Sequence, residues 1–337
     1  MVLIHSNGEV KCKLLLTFYA TILLMTNSKL LEQFRSFYFR NYPNDMETQI
    51  SYFSIFGGLG WDIDTSKPIL ELIQELIVEN FELLNTKIEE FTLSEPAHKR
   101  LLQALAVGDR RIFSAFKRAG LNNGNGGAAL SFLQEAGLIQ MEYSREEHPR
   151  EKNPNAKLKR RDARHRISHK VLFTHPFIRF WFYFIAPQMR NIKEGNFESL
   201  IKKLQEQLNS YTSLVFEELS EVLLNYNLRE TQIISSGSYW DANIEIDILT
   251  ITENDKVYVG ECKWKNHKIN KKELHKLHEK CEKLEIKPDQ IIFFSKRGFS
   301  KELQQMQGAK LALYSCEEFN MLVKSSSKEQ LIENFIN

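Results

Sequence analysis

The sequence predicts two architectures in succession. A mainly helical first half contains a winged helix-turn-helix, and an α/β C-terminal domain follows with its elements in the order α-β-β-β-α-β, a mixed sheet flanked by helices. Three observations carry this expectation. Apolar residues recur at a 3.6-residue period in segment after segment between residues 28 and 136. Short apolar runs rich in Ile and Val then dominate residues 230–263. Finally, the helical pattern Lys271–Leu284 is followed directly by the run Gln-Ile-Ile-Phe-Phe-Ser at 290–295. At 337 residues, with 42% apolar and 26% charged residues, the chain is long enough for two or three ordinary domains. Its boundaries are read as 1–24, 25–92, 93–192 and 195–337.

In order along the chain, Lys13–Met25 (KLLLTFYATILLM) is too short to span a bilayer as a helix. No small-x-small cleavage site follows it, so 1–24 is read as a leader-like or core segment, or as a start placed upstream of Met25. Residues 28–90 read as helices, with Leu30, Leu31, Phe34, Phe37 and Tyr38 on one face and Ile69, Leu72, Ile73, Leu76 and Ile77 on another. The loop Gly57-Gly58-Leu59-Gly60 separates them. The adjacent Trp61-Asp62-Ile63-Asp64 has no lysine partner and is not read as a metal site.

Residues 95–190 read as a winged helix-turn-helix. Helices are expected at 97–107, 111–119 and 128–136, with the glycine cluster of residues 122–127 as the turn before the third, and a strand beginning at Gly137. The wing is expected at 145–170, which carries ten Lys or Arg against four Asp or Glu. Lys157, Lys159, Arg160, Arg161, Arg164 and Arg166 are its candidate phosphate contacts. The alternative is a solvated loop. The third helix offers few donors for base edges, so backbone binding is expected rather than sequence reading. The aromatic segment Phe173–Ile185 is read as core rather than as a stacking platform.

The chemistry concentrates between Ile244 and Trp264 (IEIDILTITENDKVYVGECKW). Strand alternation places Ile244, Ile246 and Ile248 on one face and Glu245 and Asp247 on the other, while Glu261 and Lys263, two apart, share a side. Paired as a hairpin, the strands would bring Asp247, Glu261 and Lys263 to one point. Two carboxylates beside an ammonium suit a hard divalent cation and a water. The competing reading is a pair of solvated strand faces. Lys265, His267 and Lys268 continue the positive end of the second strand, where a phosphate backbone would pass.

At Gly237-Ser238-Tyr239-Trp240, Glu245-Ile246-Asp247-Ile248 and Gly260-Glu261-Cys262-Lys263-Trp264 the chain resembles the PD-(D/E)xK nuclease superfamily. The likeness is to the branch of archaeal Holliday junction resolvases and Mrr-like restriction endonucleases. More narrowly, it is to the domain of unknown function found behind archaeal-type P-loop ATPases, and it covers roughly residues 95–320. The proline of the PD element is absent, with Glu245-Ile246 preceding Asp247. The resemblance implies a restriction-endonuclease-like fold and Mg²⁺- or Mn²⁺-dependent cleavage of DNA. Asp247, Glu261 and the carbonyl of Cys262 would bind the metal, and Lys263 would complete the catalytic set. It also implies a metal-site glutamate on the first core helix; Glu217 is matched, with Glu218 and Glu221 as competitors.

No GxxxxGK[ST] occurs, so ATP hydrolysis by this chain alone is not expected. Expected partners are DNA, a separate P-loop ATPase and a second copy of the chain, and no membrane. Cys12, Cys262, Cys281 and Cys316 form no CxxC pair, which fits a reducing cytoplasm. His275, His278 and Cys281 fall at helical spacing but are not read as a zinc site. The alternative to an active nuclease is a catalytically silent nucleic-acid-binding or ATPase-docking protein on the same fold.

Overall fold

The computed structural model describes residues 29–146 and 166–324; the expected leader at 1–24 and most of the expected wing lie outside them. The first helices are α1 (29–41), α2 (Met46–Phe56), α3 (Ile69–Ile73, running on into a π turn at Gln74–Val78) and α4 (Phe81–Phe91). Asp45 starts α2 by accepting from the Thr48 amide at 2.7 Å, an N-cap that satisfies one of the orphan donors of the first turn. The apolar face of α1 then meets α2, with Phe34 edge-on to Phe53 at 5.2 Å.

Next come α5 (Pro96–Val107), α6 (Ile112–Arg118) and α7 (Asn123–Glu135), followed by an antiparallel pair, β1 (Ile139–Glu142) and β2 (Lys170–Phe173). The glycine cluster is not the turn before α7 but its first two turns. Asn122 caps the helix by accepting from the Asn125 amide at 2.8 Å. Gly126 lies so close under Phe116 that a Cβ there would sit 2.6 Å from the ring. Close approach of α7 to α6, and not chain reversal, is therefore what Gly126 provides.

The aromatic segment is core, as expected. It forms α8 (Pro176–Phe180) and a π turn (Trp181–Ile185) in which Phe177, Phe180, Trp181 and Phe184 are buried. A 3₁₀ turn and α9 (Met189–Lys193) lead to α10, Glu198–Asn227. This is one unbroken helix of 30 residues. The polar stretch at Asn209-Ser210 does not break it. Ser210 bonds back to the Gln207 carbonyl at 2.9 Å, and Asn209 reaches the Trp264 carbonyl at 3.4 Å.

The remaining strands are β3 (Ile233–Ser235), β4 (Tyr239–Trp240), β5 (Glu245–Ile246), β6 (Ile248–Thr252), β7 (Val257–Lys263), β8 (Gln290–Ser295) and β9 (Leu311–Ser315). Helices α11 (Lys271–Lys283) and α12 (Lys301–Gln305) lie between β7 and β9, and α13 (Asn320–Lys324) follows them. The main sheet is mixed and runs β3-β6-β7-β8-β9, antiparallel up to β7 and parallel beyond, with β4 and β5 forming a separate hairpin. One sheet face, with Ile248, Cys262, Ile292 and Phe294, joins a continuous core reaching back to Phe34. The other, with Leu249, Val259, Ile291 and Phe293, is closed by Leu274, Leu277 and Cys281 of α11 and Leu303 of α12. Among the described residues no helix is long and apolar enough to cross a membrane.

One expectation about the central strand is overturned. The run 243–251 is not a single strand but breaks at Asp247, with β5 pairing to β4 and β6 to β7. Ile246 and Ile248 therefore do not share a face: Ile246 packs in the smaller core and Ile248 in the larger. The break interrupts the period-2 alternation on which the shared face was read.

Candidate active site

Asp247 occupies that break, and its Oδ2 accepts the amide of Cys262 from β7 at 2.7 Å. The bond ties the two strands together where β6 begins. Burial first, then the charges of Glu217 and Glu261, push the Asp247 carboxyl well above the ordinary carboxylate range, against the Cys262 amide bond and Lys263. Glu261 is buried, at 7% exposure, and both of its oxygens are engaged. Oε1 accepts from the Lys263 ammonium and Oε2 from Lys280 of α11 at 2.8 Å. For Lys263 burial pulls the pKa down, but the charge and hydrogen bond of Glu261, with the charges of Asp247 and Glu273, together outweigh it and the net shift is upward. Lys263 is thus held protonated.

Glu217 projects from α10 into the same field. Burial raises its carboxyl to about 7, with Arg110 opposing the rise, Glu245 and Glu218 adding to it, and Lys263 opposing it. Its neighbour Glu218 is also raised to about 7, but its company is different: Arg110, Arg179, Glu142 and Glu221. Helical phase separates the two. Glu217 is in electrostatic contact with both Asp247 and Lys263. The side chain of Cys262 points away into the large core, where its thiol is held neutral by burial; only its backbone serves the cluster.

Lys265, His267 and Lys268 are exposed on the loop after β7, and Arg166 is exposed at the return of the expected wing. Lys157, Lys159, Arg160, Arg161 and Arg164 lie outside the described residues. The zinc spacing disperses, with Cys281 facing the core and His275 and His278 facing solvent. Among the described residues no three His, Cys, Asp or Glu side chains stand in a ready ligating arrangement. The Glu261 contacts give one reason, since both of its oxygens are already bonded to lysines.

Sequence reasoning missed Lys280. It lies beside the Leu274-Leu277-Cys281 stripe of α11, and that helical phase marked it as a cation at the sheet side. It also missed how tightly the preceding unit grips this site. Arg145 donates to Ser235 Oγ (2.9 Å) and to the carbonyls of Leu249 (2.8 Å), Gly237 (2.6 Å) and Ser238 (2.9 Å). Lys170 of β2 is 2% exposed, pairs with Glu245 and lies 4.4 Å over the Trp240 ring. Glu142 accepts from the Ser238 hydroxyl, and the Trp240 indole donates to the Ser168 carbonyl at 2.9 Å. The β4–β5 hairpin that delivers Asp247 is thus held from the helical side.

A family model described as "Archaea bacterial proteins of unknown function" matches residues 181–277, a stretch containing Glu217, Asp247, Glu261 and Lys263. An uncharacterized protein of Methanocaldococcus jannaschii is 25% identical over 244 residues, 68% of this chain and 50% of that protein. The chain thus spans about half the length of the curated relative it matches. No solved structure matches it.

Proposed function

We propose that the protein is a metal-dependent nuclease of the PD-(D/E)xK type, hydrolysing phosphodiester bonds in DNA, with residues 96–173 acting as a winged helix-turn-helix that binds the DNA backbone. The observation that carries this reading is the convergence of Glu217, Asp247, Glu261 and Lys263 from α10, the β5–β6 break and β7. The donors fit a hard divalent cation, because all three carboxylates supply oxygen. Burial and mutual repulsion push Asp247 and Glu217 toward their neutral forms, and a divalent cation is the group that reverses this.

Asp247, Glu261 and Glu217 would hold Mg²⁺ or Mn²⁺, with the Cys262 carbonyl as a further donor. Such a cation supplies Lewis acidity, making a water nucleophilic near neutral pH and offsetting phosphate charge. Lys263, kept protonated, steadies that water and the charge developing on the phosphate as a point cation. The water oxygen bonds to phosphorus, one P–O ester bond breaks, the departing oxygen gains a proton and the water's proton passes to solvent. Lys265, Lys268 and Arg166 line the approach for the phosphate backbone. A cytoplasmic setting accords with the buried, unpaired thiols of Cys262, Cys281 and Cys316.

One observation favours a second reading. Both oxygens of Glu261 are neutralised by lysines, as a silent nuclease-like fold that only binds DNA or docks on a P-loop ATPase would tolerate. The experiment is a cleavage assay on duplex, single-stranded and branched DNA with Mg²⁺, Mn²⁺ or EDTA, beside Lys263→Ala. Metal-dependent cutting lost in the variant supports the nuclease. Cutting that survives in the variant refutes this mechanism, and binding without cutting on any substrate supports the second reading.

A further inference from the structure

The hairpin that carries Asp247 is too short to hold itself. Strands β4 and β5 have two residues each and pair as Tyr239 with Ile246 and Trp240 with Glu245. A lone hairpin of this kind is marginal in water. Asp241 ties its loop by accepting the amides of Asn243 and Ile244 at 2.6 and 2.7 Å. That fixes the loop, but not the direction in which β5 delivers the next residue. Asp247 stands between β5 and β6, so the hairpin sets one side of its backbone.

The preceding unit supplies the rest. The Trp240 indole donates to the Ser168 carbonyl at 2.9 Å, and Arg111 Nη2 to the Asp241 carbonyl at 3.1 Å, which hold β4 and the loop. Lys170 reaches β5. Its ammonium donates to Glu245 Oε1 at 2.5 Å and lies 4.4 Å from the centre of the Trp240 ring. One cation thus touches both members of the Trp240–Glu245 pair. After Glu245 come Ile246, buried in the smaller core, and Asp247, whose carboxylate accepts the Cys262 amide at 2.7 Å. The path from β2 to β7 is continuous.

Stability does not account for this lysine. Its side chain is 3% exposed, whereas that of Glu245 is 53% exposed. Burying an ammonium costs solvation that a half-hydrated carboxylate returns poorly, and an apolar side chain of similar length would pack there without that cost. What the ammonium adds is one bonded position for Glu245, and so for the strand that ends at Asp247. We propose that Lys170 is a positioning residue for the metal site, holding β5 through Glu245 and Trp240 so that the Asp247 carboxylate is presented beside β7. The proposal rests on the nuclease reading above. Lys170 acts through Glu245 and touches neither metal nor DNA.

The test uses the full chain as wild type, Lys170→Met, Glu245→Gln and the double variant. It reads Mn²⁺ affinity by calorimetry, hydrogen exchange at the Cys262 amide by NMR without metal, DNA affinity in EDTA and the thermal midpoint. Lys170→Met is expected to lose roughly tenfold in Mn²⁺ affinity, the usual cost of removing a partner behind a metal ligand. Its Cys262 amide should exchange on the order of tenfold faster. Its midpoint should stay within about 2 °C of wild type or rise, because a buried charge is gone. DNA affinity should stay within about threefold. The double variant should bind Mn²⁺ no more weakly than Lys170→Met, since both changes remove one contact. Mn²⁺ affinity or Cys262 exchange within about threefold of wild type in Lys170→Met overturns the proposal. So does a loss of Mn²⁺ affinity with exchange accelerated throughout β6, β7 and β8, which marks general loosening. If Lys170→Met does not fold, Glu245→Gln, a change at a half-exposed position, decides by the same two readouts. A wild-type chain that binds no Mn²⁺ refutes the nuclease reading and the proposal with it, an outcome distinct from a wild type that binds while Lys170→Met binds equally.

Discussion

Arg145→Ala should be among the most damaging single substitutions outside the carboxylate cluster, and its cost can be worked from contacts. The guanidinium makes four hydrogen bonds, to three carbonyls and one hydroxyl, all within residues 235–249. Burial opposes its charge, and Glu221 and Glu142 offset part of that penalty. Truncation leaves those acceptors without their donor, and each unmatched buried group costs about 1–3 kcal/mol. The sum is an upper bound because the loop will relax and admit water. About 4 kcal/mol is the expected loss, the scale seen when one partner of a buried charge network is removed. Urea unfolding followed by tryptophan fluorescence measures it as a fall in midpoint at unchanged slope. Arg145→Lys should recover little, because one ammonium does not reproduce a fork that reaches Leu249 on one side and Gly237 and Ser238 on the other. A loss below about 1 kcal/mol in Arg145→Ala would refute the claim that this side chain fastens the helical unit to the sheet.

Lys280→Ala removes an ammonium that competes for Glu261, a partly exposed pair worth up to about 1 kcal/mol, so Mn²⁺ affinity by calorimetry should rise about two- to fivefold. Two glycines of α7 should respond with opposite signs. Gly127→Ala meets nothing within 4 Å and should stabilise by up to about 1 kcal/mol, whereas Gly126→Ala collides with Phe116 and should destabilise by about 1–2 kcal/mol, both read from thermal midpoints. His175 is kept neutral chiefly by burial, with Lys29 adding to it, and its pKa falls from 6.5 to about 3. The unfolded chain therefore takes up this proton first on acidification. Stability attached to His175 is complete above pH 6.5 and drains as pH falls toward 3, by about 1.4 kcal/mol per unit. Stability against pH in the wild type should show this slope, and a His175→Gln protein that keeps it would refute the assignment.

The α/β succession was legible because each C-terminal element is long or strongly apolar: β8 lies on the very residues its Ile-Ile-Phe-Phe run marks, and α11 ends within one residue of the reading. The approach of Asp247, Glu261 and Lys263 could be read from spacing on two neighbouring strands. The break at Asp247 could not, since Glu245-Ile246-Asp247-Ile248 alternates without flaw and only the capture of β5 by β4 interrupts it. The glycine cluster misled for a related reason. Glycine signals a turn or a close approach equally well, and the neighbour that decides, Phe116, is ten residues before Gly126. Lys280 and Arg145 come from other elements and reach the site only through tertiary packing.

The core that runs unbroken from Phe34 to Val323 has a consequence for how the protein comes apart. Between α8 and α10, Arg179 donates to the Tyr211 carbonyl at 3.1 Å and lies 4.1 Å over the Tyr211 ring, and Phe180 and Phe184 pack against that same ring. A chain cut between these helices would present both halves with bare aromatic surface and a buried arginine stripped of its acceptor. Melting should therefore be a single cooperative event, with limited proteolysis yielding no stable fragment that begins near residue 195.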